Sequence, residues 1–132
     1  MSWLLDTNAC IFLMKLREPI ITRVKQLGPE DLAVSAITCA ELWFGAAKSQ
    51  HPQRSRAAQD AFLEPLRVLD FDTKAADRYA AVRAHLARSG RPIGDRDLMI
   101  AAIALANRMA VVTSNAAEFA RVPGLTVEDW LV

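Results

Sequence analysis

Cysteine is scarce in this 132-residue chain, which contains only Cys10 and Cys39. Neither belongs to a CxxC pair or to a His/Cys cluster, so the sequence does not predict a structural zinc site. Both cysteines lie within apolar helical patterns, which favours two buried free thiols in a reducing compartment over a disulfide.

The chain also has little excess charge and no long hydrophobic run. A formal net charge of +1 argues against a generally basic coat for nucleic acid, so an anionic partner must be held by a local patch or by metal ions. The longest uncharged apolar run, residues 98–106, is about half of the ~20 residues that a membrane span requires. The first residues lack the basic segment of a secretory signal. We therefore expect a cytoplasmic protein that does not enter a membrane.

What the chain does have is apolar content: hydrophobic residues make up 52% and charged residues 23%, which predicts one compact domain over residues 1–132. Short apolar runs alternate with helical patterns. This alternation predicts an α/β fold with a short, mainly parallel sheet of four to five strands and helices on both faces. The expected strands are 3–5, 32–34, 67–71, 110–113 and 125–127, and the expected helices are 8–17, 19–27, one ending at 48, 52–66, one from 72 to 89, 95–107 and 115–120.

Asp6 follows the first predicted strand, Trp3-Leu4-Leu5. Ligands of open α/β sheets bind outside the carboxyl ends of the strands, so an acid at this position is a functional candidate. The structural alternative is that Asp6 or Thr7 simply caps the next helix, because both residue types are good N-caps. The position alone leaves both interpretations open.

Glu41 lies on the helix after the second strand and shares a face with Ile37 and Phe44. A carboxylate on such a face needs either a partner or a functional role. The alternative is a capping box, in which the Glu41 side chain would reach back to the backbone amide of Thr38.

Asp97 stands at the start of an apolar stripe that continues through Ile100, Ala101 and Ala104. Helix N-termini favour negative charge, so we expect the carboxylate to be ionised at neutral pH. Asp95 can serve as the N-cap of this helix, which leaves Asp97 without an evident structural role.

Asn115 follows the fourth strand as Asp6 follows the first. Asn is a common N-cap, so this position alone is a weak signal of function. Glu118 would share the helical face of Asn115 and is an alternative fourth polar group of the same site.

Together, Asp6, Glu41, Asp97 and Asn115 can converge at the carboxyl edge of the sheet. Uncompensated carboxylates raise one another's pKa, and a divalent cation would relieve the repulsion. With oxygen ligands and no nearby histidine, Mg²⁺ or Mn²⁺ is preferred over Zn²⁺, and we expect Asp6 and Asp97 to bind it. Such an ion can position a phosphate and an attacking water, so no side-chain nucleophile is required.

Four motifs follow one another along the chain. They are Leu-Leu-Asp-Thr-Asn at 4–8, Ser-x-x-Thr-x-x-Glu-Leu at 35–42, Pro-Ile-Gly-x-x-Asp-x-x-Ile-Ala-Ala at 92–102 and Val-Thr-x-Asn-x-x-Glu-Phe at 112–119. In order and spacing these motifs resemble PIN-domain ribonucleases, and specifically the VapC-type toxins of bacterial toxin–antitoxin pairs, and the likeness covers almost the whole chain. One departure is Asn115, where many PIN domains carry a fourth acid.

The resemblance implies a three-layer α/β/α PIN-like fold and Mg²⁺-dependent endonucleolytic cleavage of RNA, with Asp6, Glu41 and Asp97 as the acidic core. Transfer RNA is one candidate substrate. The resemblance also implies a homodimer and a small antitoxin whose C-terminal tail occupies the active-site groove.

Two other functions compete with the toxin. One is a housekeeping PIN nuclease that processes RNA. The other is a phospho-accepting signalling domain with Asp70 or Asp72 as acceptor, which would need an acid pair after the first strand where only Asp6 is found.

Arginines are frequent near the expected acidic site. A stretch without acids runs from 78 to 94, and a solvated helix face explains it most simply. The functional hypothesis is that Arg88, Arg91 and Arg96 approach the acidic pocket and bind RNA phosphates.

Overall fold

The computed structural model describes residues 2–132 and contains one five-stranded sheet. All four strand pairings are parallel, and the order is β3-β2-β1-β4-β5. The predicted α/β class and parallel sheet are therefore confirmed, with the first strand at the centre. The elements in chain order are β1 (Trp3–Leu5), α1 (Thr7–Met14), α2 (Ile20–Lys25), β2 (Leu32–Ser35), α3 (Ala36–Ala47), α4 (Pro52–Leu63), β3 (Arg67–Leu69), α5 (Thr73–Arg88), α6 (Asp95–Ala106), β4 (Ala110–Val112), α7 (Ala116–Phe119) and β5 (Val127–Glu128).

Side chains that alternate along β1 divide the core into the two halves of a three-layer structure. Leu4 and Val111 pack with apolar residues of α5, α6 and α7 on one face of the sheet. Leu5 and Val34 pack with residues of α1 to α4 on the other face. Because both faces of β1 are covered, its three residues are all apolar, as a central parallel strand requires.

Several element ends differ from the predicted ones. The first helix stops at Met14 instead of residue 17, because Leu16 adopts a left-handed φ of 54° that no helix can continue. The fourth helix stops at Leu63 instead of residue 66. It cannot add a regular turn because Pro65 lacks the backbone N–H that this turn would need. The last strand is Val127–Glu128 and follows a turn in which Gly124 takes a φ of 79°.

Two further predictions about the chain can be compared with the structure. Cys10 and Cys39 are both buried free thiols, as expected. Within residues 2–132, no helix is both long enough and apolar enough to cross a bilayer.

The short edge strand β5 is held by one carboxylate. Glu128 accepts hydrogen bonds from the indole nitrogens of Trp3 at 2.8 Å and Trp130 at 3.0 Å, and the two rings pack edge to face. Arg23 reaches the same carboxylate at 3.7 Å and stacks on Trp130. These contacts join the end of the chain to the first strand and to α2.

We expect Glu128→Ala to lower the free energy of unfolding by about 2–4 kcal/mol, because two partly buried indole donors lose their acceptor. Glu128→Gln keeps an acceptor oxygen, so its free energy of unfolding should lie between those of Glu128→Ala and the wild type. Urea unfolding followed by tryptophan fluorescence measures the stability of both variants. Glu64→Ala is the control, at an exposed residue directly after α4. A loss no larger than that of Glu64→Ala would contradict this role of Glu128.

Candidate active site

Asp6 is the buried acid of the site. It directly follows β1, its side chain is only 3% exposed, and its Oδ1 accepts the backbone N–H of Ala9 at 2.8 Å. Asp6 therefore caps α1, as the structural alternative predicted, and it also lies at the carboxyl edge of the sheet, where its functional role stays a prediction. Burial raises the pKa of Asp6 to about 6, despite hydrogen bonds from Thr113 and Ala9 that lower it. The negative charges of Asp97 and Glu41 also raise that pKa.

Glu41 is held from two sides. Thr7 Oγ1 donates to Glu41 Oε1 at 2.6 Å, and Arg96 Nε lies 3.4 Å from Glu41 Oε2. Since the Thr7 proton goes to Glu41, the 3.1 Å contact between the Thr7 and Thr38 hydroxyls must use the Thr38 proton. The side chain of Glu41 is thus fixed by a hydroxyl that is adjacent to Asp6 in sequence.

The capping-box alternative for Glu41 is wrong. The helix begins earlier than that motif requires, at Ala36, and its N-cap is Ser35, whose side chain accepts the N–H of Thr38 at 3.0 Å. Thr38 lies inside the helix, so Glu41 has no cap amide to reach.

Asp97 is half-buried in the first turn of α6. Its pKa is raised, first by burial and then by the charges of Glu118 and Glu41, while a hydrogen bond from Asn115 and the charge of Arg96 lower it. Helix α6 precedes β4 in a parallel sheet, so this N-terminus lies at the same edge as Asp6. The structure therefore brings Asp6, Glu41 and Asp97 within electrostatic range of one another.

The expected structural role of Asp95 is wrong in detail. The N-cap of α6 is Gly94, and Asp95 is the first helical residue. Its carboxylate accepts a hydrogen bond from the Tyr79 hydroxyl and lies 4.0 Å from Arg83, so it joins α6 to α5. It remains a structural residue, as distinct from Asp97.

Asn115 and Glu118 form a joined pair at the end of β4. Asn115 Nδ2 donates to Glu118 Oε2 at 2.6 Å, and Glu118 Oε1 accepts the N–H of Gly94 at 2.9 Å. These two bonds lower the pKa of Glu118. Glu118 thus ties the start of α6 to α7, while Asn115 binds Glu118 and lowers the pKa of Asp97.

The donor set fits a divalent cation that keeps much of its water. Neither Asp6 nor Asp97 forms an ion pair with Lys or Arg among residues 2–132, and burial and repulsion raise both pKa values despite the hydrogen bonds and the Arg96 charge that lower them. In the same stretch, no three Asp, Glu, His or Cys side chains are grouped closely enough to bind one ion. Mg²⁺ commonly takes one or two carboxylates and several waters, so an open site with two acids suits it and a closed cage is not required.

Sequence reasoning missed the hydroxyl groups of the site. Thr7 fixes Glu41, and Thr113, which is 1% exposed, lowers the pKa of Asp6 and accepts the N–H of Asn115 at 2.8 Å. The β1–β4 register pairs Leu5 with Val112, so Thr113 is the residue beside Asp6. Both threonines belong to the motifs quoted above, and Thr7 is the direct neighbour of Asp6, but only a known strand pairing places Thr113 beside Asp6.

Comparisons with known proteins are consistent with this geometry. Residues 3–125 match the family model of the PIN domain. The chain is 43% identical to the tRNA(fMet)-specific endonuclease VapC of Salmonella typhimurium, over 98% of both chains. It is 38% identical to the ribonuclease VapC2 of Haemophilus influenzae, over 99% of both chains.

Solved structures give the same result. A DNA-bound VapBC structure from Salmonella typhimurium superposes with a TM-score of 0.93 at 44% identity, over 98% of both chains. VapBC2 of Rickettsia felis, bound to a DNA fragment from its promoter, superposes with a TM-score of 0.92 at 34% identity, over 98% of this chain and 99% of that chain. The three-layer fold predicted from the sequence is the fold of these proteins.

The raised pKa of Asp6 makes a prediction about stability without metal. An unfolded Asp titrates near 3.9, so between about pH 4 and pH 6 the folded protein binds the proton more tightly and loses stability as pH rises. Asp6→Asn removes this loss and keeps the helix cap, because Asn caps as well as Asp. In EDTA at about pH 8, we expect the variant to gain up to roughly 3 kcal/mol in the free energy of unfolding.

The gain should shrink toward zero at about pH 3, which lies below the pKa of Asp6 in both the folded and the unfolded state. Urea unfolding at the two pH values measures it, and Asp6→Ala, which loses the cap, is the matched comparison. A variant that is less stable than the wild type at high pH in EDTA would show that the Asp6 charge is already compensated within the protein.

Proposed function

The chain belongs to the PIN-domain family and, within it, to the VapC ribonucleases, and on this basis we propose that it is a Mg²⁺-dependent endoribonuclease acting as a toxin. PIN-domain ribonucleases depend in general on divalent metal ions. Mg²⁺, or alternatively Mn²⁺, is our assignment from the all-oxygen donor set.

One observation carries the proposal. Asp6, buried at the end of the central strand, has a pKa raised to about 6 with two further acids in range and no Lys or Arg paired to it within residues 2–132. Such a carboxylate weakens the fold unless something else compensates its charge. Groups with perturbed pKa values gather at functional sites, and a divalent cation is the compensation that also serves phosphodiester hydrolysis.

Each residue of the site has an assigned role. Asp6 and Asp97 hold the cation, and both must be ionised to do so. Glu41, fixed by Thr7, and Asn115, fixed by Glu118, orient water and the scissile phosphate at the same edge of the sheet. When bound, the cation supplies positive charge to the phosphate and activates water for attack.

The names of the relatives guide the choice of substrate and partners. One relative is a tRNA(fMet)-specific endonuclease, so we propose tRNA as the substrate class and tRNA(fMet) as the first RNA to test. The VapBC structures support a cognate antitoxin as partner, and we propose that its C-terminal tail occupies the active-site groove. We also propose that the protein is a homodimer and that it acts in the cytoplasm.

The phospho-accepting alternative loses its structural basis. β3, which precedes Asp70 and Asp72, is an edge strand and not a central one. Asp72 Oδ1 accepts the N–H of Ala75 at 3.0 Å and so caps α5. A housekeeping RNA-processing nuclease has the same chemistry as a toxin, and expression in a host cell separates the two: a toxin arrests growth unless the antitoxin is present.

Incubation of the purified protein with total cellular RNA and Mg²⁺, followed by mapping of the new ends, tests the proposed activity. We expect cleavage confined to few sites, abolished by EDTA and reduced at least a hundredfold by Asp97→Asn, because a metal ligand is lost. Asp95→Asn is the matched control in the same helical turn and should retain cleavage. The proposal fails if Asp97→Asn cleaves as well as Asp95→Asn, or if EDTA has no effect.

A further inference from the structure

Arg96 is a cation in an unfavourable position. It lies in the first turn of α6, where the helix dipole disfavours positive charge. It is 71% exposed, and its Nε lies 3.4 Å from Glu41 Oε2. An exposed ion pair of this kind adds little to stability, so stability does not explain an arginine at this position.

The guanidinium group has unused donors. The ion pair with Glu41 is made through Nε, and among residues 2–132 Arg96 donates no hydrogen bond and forms no other ion pair. Both terminal nitrogens are therefore free. A guanidinium fork with free terminal donors matches the oxygens of a phosphate and can bind them in bidentate fashion.

The acids around Arg96 make a phosphate-binding cation necessary if RNA is to bind there. Three acids, Asp6, Glu41 and Asp97, repel a polyanion from the place where it must bind. Arg121 acts on Glu118 and not on these three acids, and its Nη1 donates to the carbonyl oxygen of Pro92 at 3.0 Å, which fixes the side chain away from them. Arg88 and Arg91 are exposed and make no side-chain contact with the acids of the site in the described residues.

We propose that Arg96 is a substrate-binding residue that exchanges Glu41 for an RNA phosphate when substrate enters the site. This inference rests on the proposed ribonuclease function and assigns it a specific phosphate contact. With Arg96 on the phosphate, Glu41 Oε2 is released toward the reacting groups, while Thr7 keeps Oε1 in place. The free protein thus holds the arginine beside the position that the phosphate will take.

The test measures RNA binding without cleavage. Asp6→Asn, which is expected to be inactive and does not contact Arg96, serves as background at a constant Mg²⁺ concentration. Fluorescence anisotropy of a labelled tRNA(fMet) transcript gives the affinity over a range of KCl concentrations. In this background Arg96→Gln should weaken binding about tenfold at low salt and reduce the slope of log K against log [salt] by about 0.7–0.9, the contribution of one phosphate contact.

Arg54→Gln is the matched control. Arg54 also lies exposed in the first turn of a 12-residue helix, α4, which contributes no residue to the site. Arg54→Gln should change neither the affinity for RNA nor the slope of its salt dependence. Arg96→Lys retains the charge but loses the fork, so it should keep the slope and lose part of the affinity. This variant carries the test if Arg96→Gln does not fold.

The outcomes separate this inference from the proposed function. An unchanged salt slope in Arg96→Gln, or an equal loss in Arg54→Gln, would overturn the role of Arg96 while a wild type that cleaves RNA keeps the ribonuclease function. If the wild type neither binds nor cleaves the transcript or total cellular RNA, the proposed function and this inference fail together.

Discussion

The burial of an acidic side chain at the carboxyl edge of the sheet, within range of two other acids, is the constraint on which the rest of the structure depends. Asp6 could have been placed in water, yet it is buried at the end of the central strand, where its charge is costly and two other acids lie near it. A fold accepts such a cost only where the remaining packing is strong enough to bear it. The two apolar clusters on either side of β1 provide that support.

Next to these acids lie groups that orient the carboxylates without neutralising their charge. Hydroxyl groups and amides predominate: Thr7 holds Glu41, Thr113 and the Ala9 amide act on Asp6, and Asn115 acts on Asp97. These donors fix geometry while leaving the negative charge in place. Among residues 2–132, the guanidinium that is paired with one of these acids belongs to Arg96, which is exposed. The site thus retains negative charge, which suits the proposed binding of a cation and an RNA phosphate.

Local sequence signals were sufficient to predict the fold class and to single out the acidic residues that the fold brings together. The apolar run of β1, its position ahead of Asp6, and the stripe that follows Asp97 could all be recognised without coordinates, and the fold they indicated is the one observed. Boundaries were less predictable because they depend on single backbone conformations, as at Leu16, or on which of several polar residues caps the helix, as with Ser35, whose side chain accepts the N–H of Thr38. The catalytic roles of Asp6, Glu41, Asp97 and Asn115 stay predictions. Pairings across the sheet, such as Asp6 with Thr113, could not be predicted because they depend on strand register.

The most direct measurement of the central claim is an NMR titration of the Asp6 side-chain carboxyl carbon, first in EDTA and then in saturating Mg²⁺. The account predicts an apparent pKa of about 6 without metal, raised by burial and by the neighbouring acids, and a clear fall when Mg²⁺ is bound. An Asp6 pKa near that of an unfolded aspartate in EDTA, or one that Mg²⁺ leaves unchanged, would contradict it.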